Sequence, residues 1–347
     1  MMPGLKKYGV SLLRLGVLWG ALWLTGCASV GAQKPPVELT FVAYAVGKPV
    51  FAQIIPAFQK EWKAKTGQEV RFRESYGPSG AQARAILDGL EADVMAQSIQ
   101  TNVDKLVKAG LVAKNWSERL PYGASPAHSV MVLVYRPGNP KNIQTWSDLT
   151  RKDVSIIAIN PKTSGSGRWG ILAGYGSIAK AEGEKKAEAF VFDFLSHTRS
   201  LESGSRQSTD AFVRKQMGDV MVNYENEIIF VNKMIPKDFP YIAPKQNISV
   251  DFPVTVIDKV VDKRGTRAVA EAFTQFLFTL QVQQIYAEFG YRPSNPKVFA
   301  QYARSYQAVP QLYAIADFGG WKAVNKKLFD DDALFDQAQK AAGRPIR

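Results

Sequence analysis

The chain has 347 residues, 46% of them hydrophobic, with a single Cys and two His. That inventory excludes an intramolecular disulfide and leaves little for a His-dependent active site or a His/Cys metal centre. The formal charge of +13 raises nucleic acid, an acidic membrane surface and anionic solutes as partners. No basic block or nucleic-acid-binding signature accompanies it. Lysines such as Lys60, Lys63 and Lys65, or Lys180, Lys185 and Lys186, are spread as on solvated helix faces.

The chain opens on a targeting segment. Lys6, Lys7 and Arg14 precede the apolar run Leu15 to Leu24, which is too short to span a bilayer. Leu24-Thr25-Gly26-Cys27 then resembles a bacterial lipobox, in which the Cys becomes the lipid-modified first residue. Residues 1–26 are expected to be removed and residues 27–37 to form a tether from the anchor Cys27. Losing the three leader cations takes the charge from +13 to +10. About 320 residues remain, enough for two ordinary domains.

Strands and helices then alternate. Val37 to Tyr44 reads as a strand and Val50 to Lys65 as a helix, with Ile54, Ile55, Phe58 and Trp62 on one face and Gly67 as its stop. Val70 to Glu74 is a strand, Gly80 to Leu90 a helix, Asp93 to Gln97 a strand and Asn102 to Ala109 a helix. This pattern predicts an α/β fold with a mainly parallel sheet flanked by helices. Val130 to Tyr135 has the unbroken apolar character of a central strand. A second α/β set follows: strand Val154 to Ile159, a helix from about Gly167 to Ala181, and a helix presenting Ala187, Phe190, Val191, Phe194 and Leu195. It continues with strand Asp219 to Asn223 and helix Glu225 to Met234. Val250 to Val261 reads as strand, Thr266 to Glu288 as a helical region broken near Leu280, and Phe318 to Ala342 as a helical tail.

Pro121 to Pro126 and Pro244 to Pro253 mark two crossings between domains. A chain that leaves a domain and returns to it sets these crossings side by side as a hinge, with a cleft between two lobes. The expected division is 38–124 plus 252–303 for the first lobe and 125–251 plus 304–347 for the second.

Three Ser/Gly segments carry the chemistry. The clearest is Asn160-Pro161-Lys162-Thr163-Ser164-Gly165-Ser166-Gly167-Arg168-Trp169, between a strand and a helix. Such a turn aims several backbone N–H groups at one point, with the positive end of the helix dipole behind them. Ser75 to Gln82 and Ser203 to Thr209 are of similar composition. Each Ser could simply cap a helix; three such loops together point to one anion enclosed from several sides, outside the carboxyl ends of the strands.

The chain resembles the periplasmic sulfate-binding proteins of ABC transporters from about Leu39 to Phe335. The likeness is carried by Ser79-Gly80-x-Gln82, Gly89-Leu90-Glu91-Ala92-Asp93, Lys114-Asn115-Trp116, Gly138-Asn139-Pro140-Lys141, Asn160-Pro161-Lys162-x-Ser164-Gly165 and Arg168-Trp169. It continues in Gly218-Asp219-Val220, Glu225-Asn226-Glu227, Asp258-Lys259-Val260-Val261, Tyr291-Arg292-Pro293 and Phe318-Gly319-Gly320-Trp321. The resemblance implies a two-lobed periplasmic-binding-protein fold of type II that closes over a dehydrated sulfate. It also implies delivery to the permease subunits of an ABC importer. It places Ser79 and Gly80 against the anion from one lobe, and Ser164, Gly165, Ser166, Ser205 and Tyr224 from the other, with Tyr76 and Arg206 behind. Four positions depart from the usual pattern: Ala45 stands for an Asp, Tyr76 for a His, Tyr224 for a Trp and Ser166 for a Gly.

Neutral donors would favour sulfate, which carries no proton near neutral pH, over phosphate, whose O–H wants an acceptor. Each hydrogen bond to a charged group contributes about 1.5–3 kcal/mol, so half a dozen support micromolar binding after closure costs. Thiosulfate, molybdate and tungstate are the alternatives, being dianions of similar shape. A serine hydrolase or phosphatase is the remote alternative: it lacks a base beyond His128 and His197 and lacks a Gly-x-Ser-x-Gly elbow. No metal, cofactor or nucleic acid is expected. A monomer on the periplasmic face of the inner membrane is.

Overall fold

The computed structural model describes residues 34–235 and 238–343. Strands Val37–Tyr44, Val70–Gly77 and Val94–Ala96 run parallel, with Val254–Val256 antiparallel at the edge beside Val94–Ala96. The first two pair without a slip, from Val37 opposite Val70 to Tyr44 opposite Gly77. Leu39, Phe41, Val42 and Ala43 are fully buried, as a strand covered on both faces requires. Helix Lys48–Thr66 returns the chain and stops at Gly67 in the left-handed region, φ 72°. Pro56 inside it sits on the exposed face, so the carbonyl that loses a partner to Pro faces water. Helices Ser79–Leu87 and Gln100–Lys108 complete this lobe's βα units.

The second sheet has the order Thr198–Glu202, Ile156–Ile159, Val220–Tyr224, Met131–Tyr135, Tyr241–Ile242. Its first three strands are parallel, and Met131–Tyr135 is antiparallel to both neighbours. Helix Gly165–Glu182 packs on it, and helix Glu184–His197 packs on that helix. Between the two large sheets, Ala127–Ser129 pairs with Val250–Asp251 and with Arg292–Pro293, both antiparallel. The strand just after Pro121 to Pro126 and the strand within Pro244 to Pro253 therefore lie hydrogen-bonded side by side, joined by a third strand from the Tyr291-Arg292-Pro293 segment. His128 belongs here, its Nδ1 2.9 Å from Asp251.

Several elements differ from the sequence reading. Thr198–Glu202 is a strand although Thr-Arg-Ser-Leu-Glu has no apolar run; it is a sheet edge and needs only one partner. The expected strand Val250 to Val261 breaks at Ile257 into helix Asp258–Arg264. Ile257, Val260 and Val261 share a helix face, the Asp258 carboxylate accepts from the Ala113 N–H at 2.8 Å, and Gly265 ends the helix at φ 67°. The tail is interrupted: helix Gly320–Val324 and a wider turn Asn325–Phe329 precede helix Leu334–Ala341. That tail braces the Asn160 to Trp169 loop. Lys162 Nζ donates to the Phe329 carbonyl at 2.8 Å and pairs with Asp336 at 2.9 Å. Arg168 donates to Pro161 and Asn325, and Trp321 meets the Trp169 ring edge-on, 4.6 Å between centroids.

Candidate functional site

Parallel strands put all their carboxyl ends on one edge, and the two large sheets turn these edges toward each other. From the first come Tyr44, Ala45 and Val46, then Gly77, Pro78 and Ser79, then Ser98; from the second come Ser164 and Ser166, Gly204 and Ser205, and Tyr224. These twelve residues line one small cavity. None of them carries a charge. Larger clefts exist elsewhere, but they lack this convergence of strand ends.

Each of the three Ser/Gly segments crosses from a strand to a helix, as expected. Ser79 starts helix Ser79–Leu87, Ser164 precedes helix Gly165–Glu182, and Gly204 precedes the short helix Ser205–Thr209. First-turn N–H groups have no acceptor inside their own helix, so the cavity wall is rich in backbone donors. The second and third loops are tied together: the Asn160 N–H donates to the Glu202 carbonyl at 2.8 Å, and Thr163 Oγ1 to the Ser203 carbonyl at 2.9 Å.

The hydroxyls are arranged to leave hydrogens over. Ser79 Oγ accepts from Ser98 Oγ at 2.9 Å and from the Gly165 N–H at 3.1 Å. Ser164 and Ser166 share one hydrogen bond of 2.7 Å. Ser205 Oγ and the Tyr224 hydroxyl are buried and meet no partner in hydrogen-bond geometry among the described residues. Burial pushes the Tyr224 hydroxyl above its ordinary range, with the Ser98 and Ser166 hydroxyls opposing the shift. Tyr224 therefore stays protonated and can donate. Buried polar groups are nearly always satisfied, so orphan hydroxyls facing a neutral cavity mark a place for an acceptor-rich guest.

Glycine sets how closely the lobes approach. A Cβ on Gly165 would lie 2.7 Å from Ser98 Oγ and 2.8 Å from Ile99, and one on Gly80 would lie 2.6 Å from the Thr163 carbonyl oxygen. Trp169 Nε1 reaches across the cleft to donate to the Ser98 carbonyl at 2.7 Å.

The structure thus brings Ser79, Ser164, Ser166, Ser205 and Tyr224 onto one cavity, with Gly165 bonded to Ser79 at its wall. Gly80 lines the neighbouring outer cleft with Arg84, Lys162 and Thr163. Tyr76 packs edge-on against Phe41, and its hydroxyl donates to Glu74 at 2.6 Å. Arg206 points away from the cavity, pairing with buried Glu227 at 3.2 Å and lying over the Phe230 ring. Behind Ser205, Asn223 Nδ2 donates to the Ser205 carbonyl and to Thr209 Oγ1, each at 3.1 Å. Cys27 lies outside the described residues. Tyr44, Val46 and Ser98 were not foreseen as wall residues; the one available signal was their place at or just beyond the ends of predicted parallel strands. Among the described residues no cluster of His, Cys, Asp and Glu is fit to hold a metal ion.

Residues 39–292 match the family described as bacterial extracellular solute-binding protein. The chain belongs to that family. It is 44% identical to a sulfate-binding protein of Synechococcus elongatus over 91% of each chain. It is 38% identical to a thiosulfate-binding protein of Pseudomonas aeruginosa, covering 91% of this chain and 96% of the other. Among solved structures it superposes on the sulfate-binding protein SubI from Mycobacterium tuberculosis H37Rv with TM-score 0.77 and 35% identity, over 85% of this chain and all of the other. A periplasmic thiamin binding protein at 18% identity and TM-score 0.66, covering 90% of this chain and 98% of the other, shares the fold. The architecture is the two-lobed, type II periplasmic-binding-protein fold.

Proposed function

We propose that this solute-binding protein captures sulfate between its lobes and hands it to the permease subunits of an ABC importer. The carrying observation is the cavity wall, which combines helix-start N–H groups with orphan hydroxyls and no charged side chain. Removing a dianion from water costs a large hydration energy, and dense hydrogen bonding is the uncharged way to offset it. Ser79, Ser164, Ser166, Ser205 and Tyr224 are the proposed contacts, with Gly165 holding Ser79 and Gly80 setting the approach of the Thr163 carbonyl. Capture, hinge closure about the three-stranded sheet and release form the cycle, with no bond made or broken. The lobes divide as 38–124 plus 252–303 and 125–251 plus 304–347, and the receptor acts as a monomer held at the membrane by lipid on Cys27.

Titration calorimetry with sulfate tests this reading. The expected affinity is micromolar, about −8 kcal/mol, with phosphate much weaker; equal affinity for the two anions would refute it. Thiosulfate is the second reading, favoured by the similarity to the Pseudomonas aeruginosa protein, and competition in the same cell ranks the two. Mass spectrometry of the membrane fraction tests the lipid on Cys27, with Cys27→Ser expected to release the receptor.

A further inference from the structure

Ser98 belongs to none of the three Ser/Gly loops, yet it touches both sides of the cavity. It follows the strand Val94–Ala96 and is 2% exposed. Its hydroxyl donates to Ser79 Oγ at 2.9 Å, and its carbonyl accepts from Trp169 Nε1 of the opposite lobe at 2.7 Å. The Gly165 N–H, also from the opposite lobe, donates to the same Ser79 oxygen at 3.1 Å. A hydroxyl has one hydrogen and two acceptor lone pairs. With both lone pairs of Ser79 occupied, its hydrogen is left to point into the cavity.

We propose that Ser98 makes Ser79 a donor-only hydroxyl when the lobes close, and that this rejects anions that carry a proton. The proposal rests on the oxyanion reading above and deepens it. An unprotonated dianion offers Ser79 only acceptors, which it matches. A protonated oxyanion must place its O–H somewhere, and a serine with a vacant lone pair would accept it. Ser98 closes that vacancy from within its own lobe, and Gly165 closes the other on lobe closure. The Trp169 bond fixes the Ser98 backbone in the same motion, so selectivity is completed only in the closed form.

The test is titration calorimetry at pH 7 with sulfate and inorganic phosphate on the wild type, Ser98→Ala, Ser79→Ala and the double variant. Ser98→Ala keeps the backbone carbonyl and loses only the hydroxyl. The expected result is a several-fold loss of sulfate affinity and a rise of about 10-fold in the phosphate-to-sulfate affinity ratio, comparable to freeing one buried hydrogen-bonding site. In the Ser79→Ala background, adding Ser98→Ala leaves the ratio unchanged, because the effect runs through Ser79. A merely structural role for Ser98 weakens both anions alike, and an unchanged ratio overturns the proposal. So does a ratio that moves equally in the Ser79→Ala background. A wild type that binds neither sulfate nor any related oxyanion defeats the functional reading itself, a different outcome from a binding protein whose ratio ignores Ser98.

Discussion

Tyr224 ends a strand whose next residue, Glu225, begins a helix, and the two neighbours face opposite problems. Glu225 is fully buried and takes two bonds from Arg292, from Nε at 2.7 Å and from Nη2 at 3.1 Å. Glu227 faces Arg206, and buried Asp93 accepts from Arg264, Thr266 Oγ1 and the Thr40 N–H. Among the described residues each buried carboxylate has its own cation, a guanidinium for Asp93, Glu225 and Glu227 and the Lys162 ammonium for Asp336. The cavity presents no charged side chain at all. Resident charges never leave, so a full counter-charge suits them. A visiting charge must depart again, and dipoles hold it without the depth of a buried ion pair, which is ruinous to break.

That contrast breaks most sharply if a resident charge is put in the visitor's place. Ser164→Asp sets a carboxylate in the cavity and is expected to reduce sulfate affinity by roughly 100- to 5000-fold, since an uncompensated buried charge costs about 3–5 kcal/mol; calorimetry showing an unchanged titration would remove Ser164 from the site. The converse change strips a resident charge of its partner. Arg292→Met leaves Glu225 buried without its counter-charge, and urea unfolding is expected to show a loss of about 3–5 kcal/mol. The double variant Arg292→Met with Glu225→Leu should recover most of that loss.

A smaller change sharpens the comparison from the cavity side. Tyr224→Phe removes one donor hydrogen and should weaken sulfate by roughly 10- to 100-fold, about 1.5–3 kcal/mol. The ligand-free protein should be no less stable, because the lost hydroxyl had no partner. Unchanged affinity would show that Tyr224 is wall and not contact.

A last effect concerns pH. Burial pushes Glu227 up to about 7 from an ordinary 4.5, with Arg206 and Thr209 opposing. A raised carboxyl means that the folded state holds a proton the unfolded chain releases. Glu227 therefore makes stability fall as pH rises from about 4.5 to 7, by at most about 1.4 kcal/mol per unit, and contributes no slope above that window. Urea midpoints at pH 5 and pH 8 should show this, and Glu227→Gln should flatten the difference.

Much of this was legible in the chain. The strand-to-helix alternation gave the sheets, and the segments Pro121 to Pro126 and Pro244 to Pro253 adjoin or contain strands of the small three-stranded sheet. The three Ser/Gly loops carry their composition openly because a turn that exposes N–H groups needs small residues. Ser98 was silent for the opposite reason. It sits in Ala96-Gln97-Ser98-Ile99, where one hydroxyl acquires meaning only from Ser79 and Trp169, 19 and 71 residues away. Thr198–Glu202 escaped because an edge strand borrows its order from Ile156–Ile159. Ile257 to Val261 misled because β-branched residues favour strands, while the Ala113 amide and Gly265 that define the helix act through tertiary contact and chain reversal.

The bare glycine edges of the cleft have an engineering consequence. Gly80 does not adopt a left-handed backbone, so alanine is conformationally acceptable there, yet its methyl would press on the Thr163 carbonyl. One added carbon becomes a doorstop: a receptor held ajar, folded and able to admit solute, but unable to shut on it.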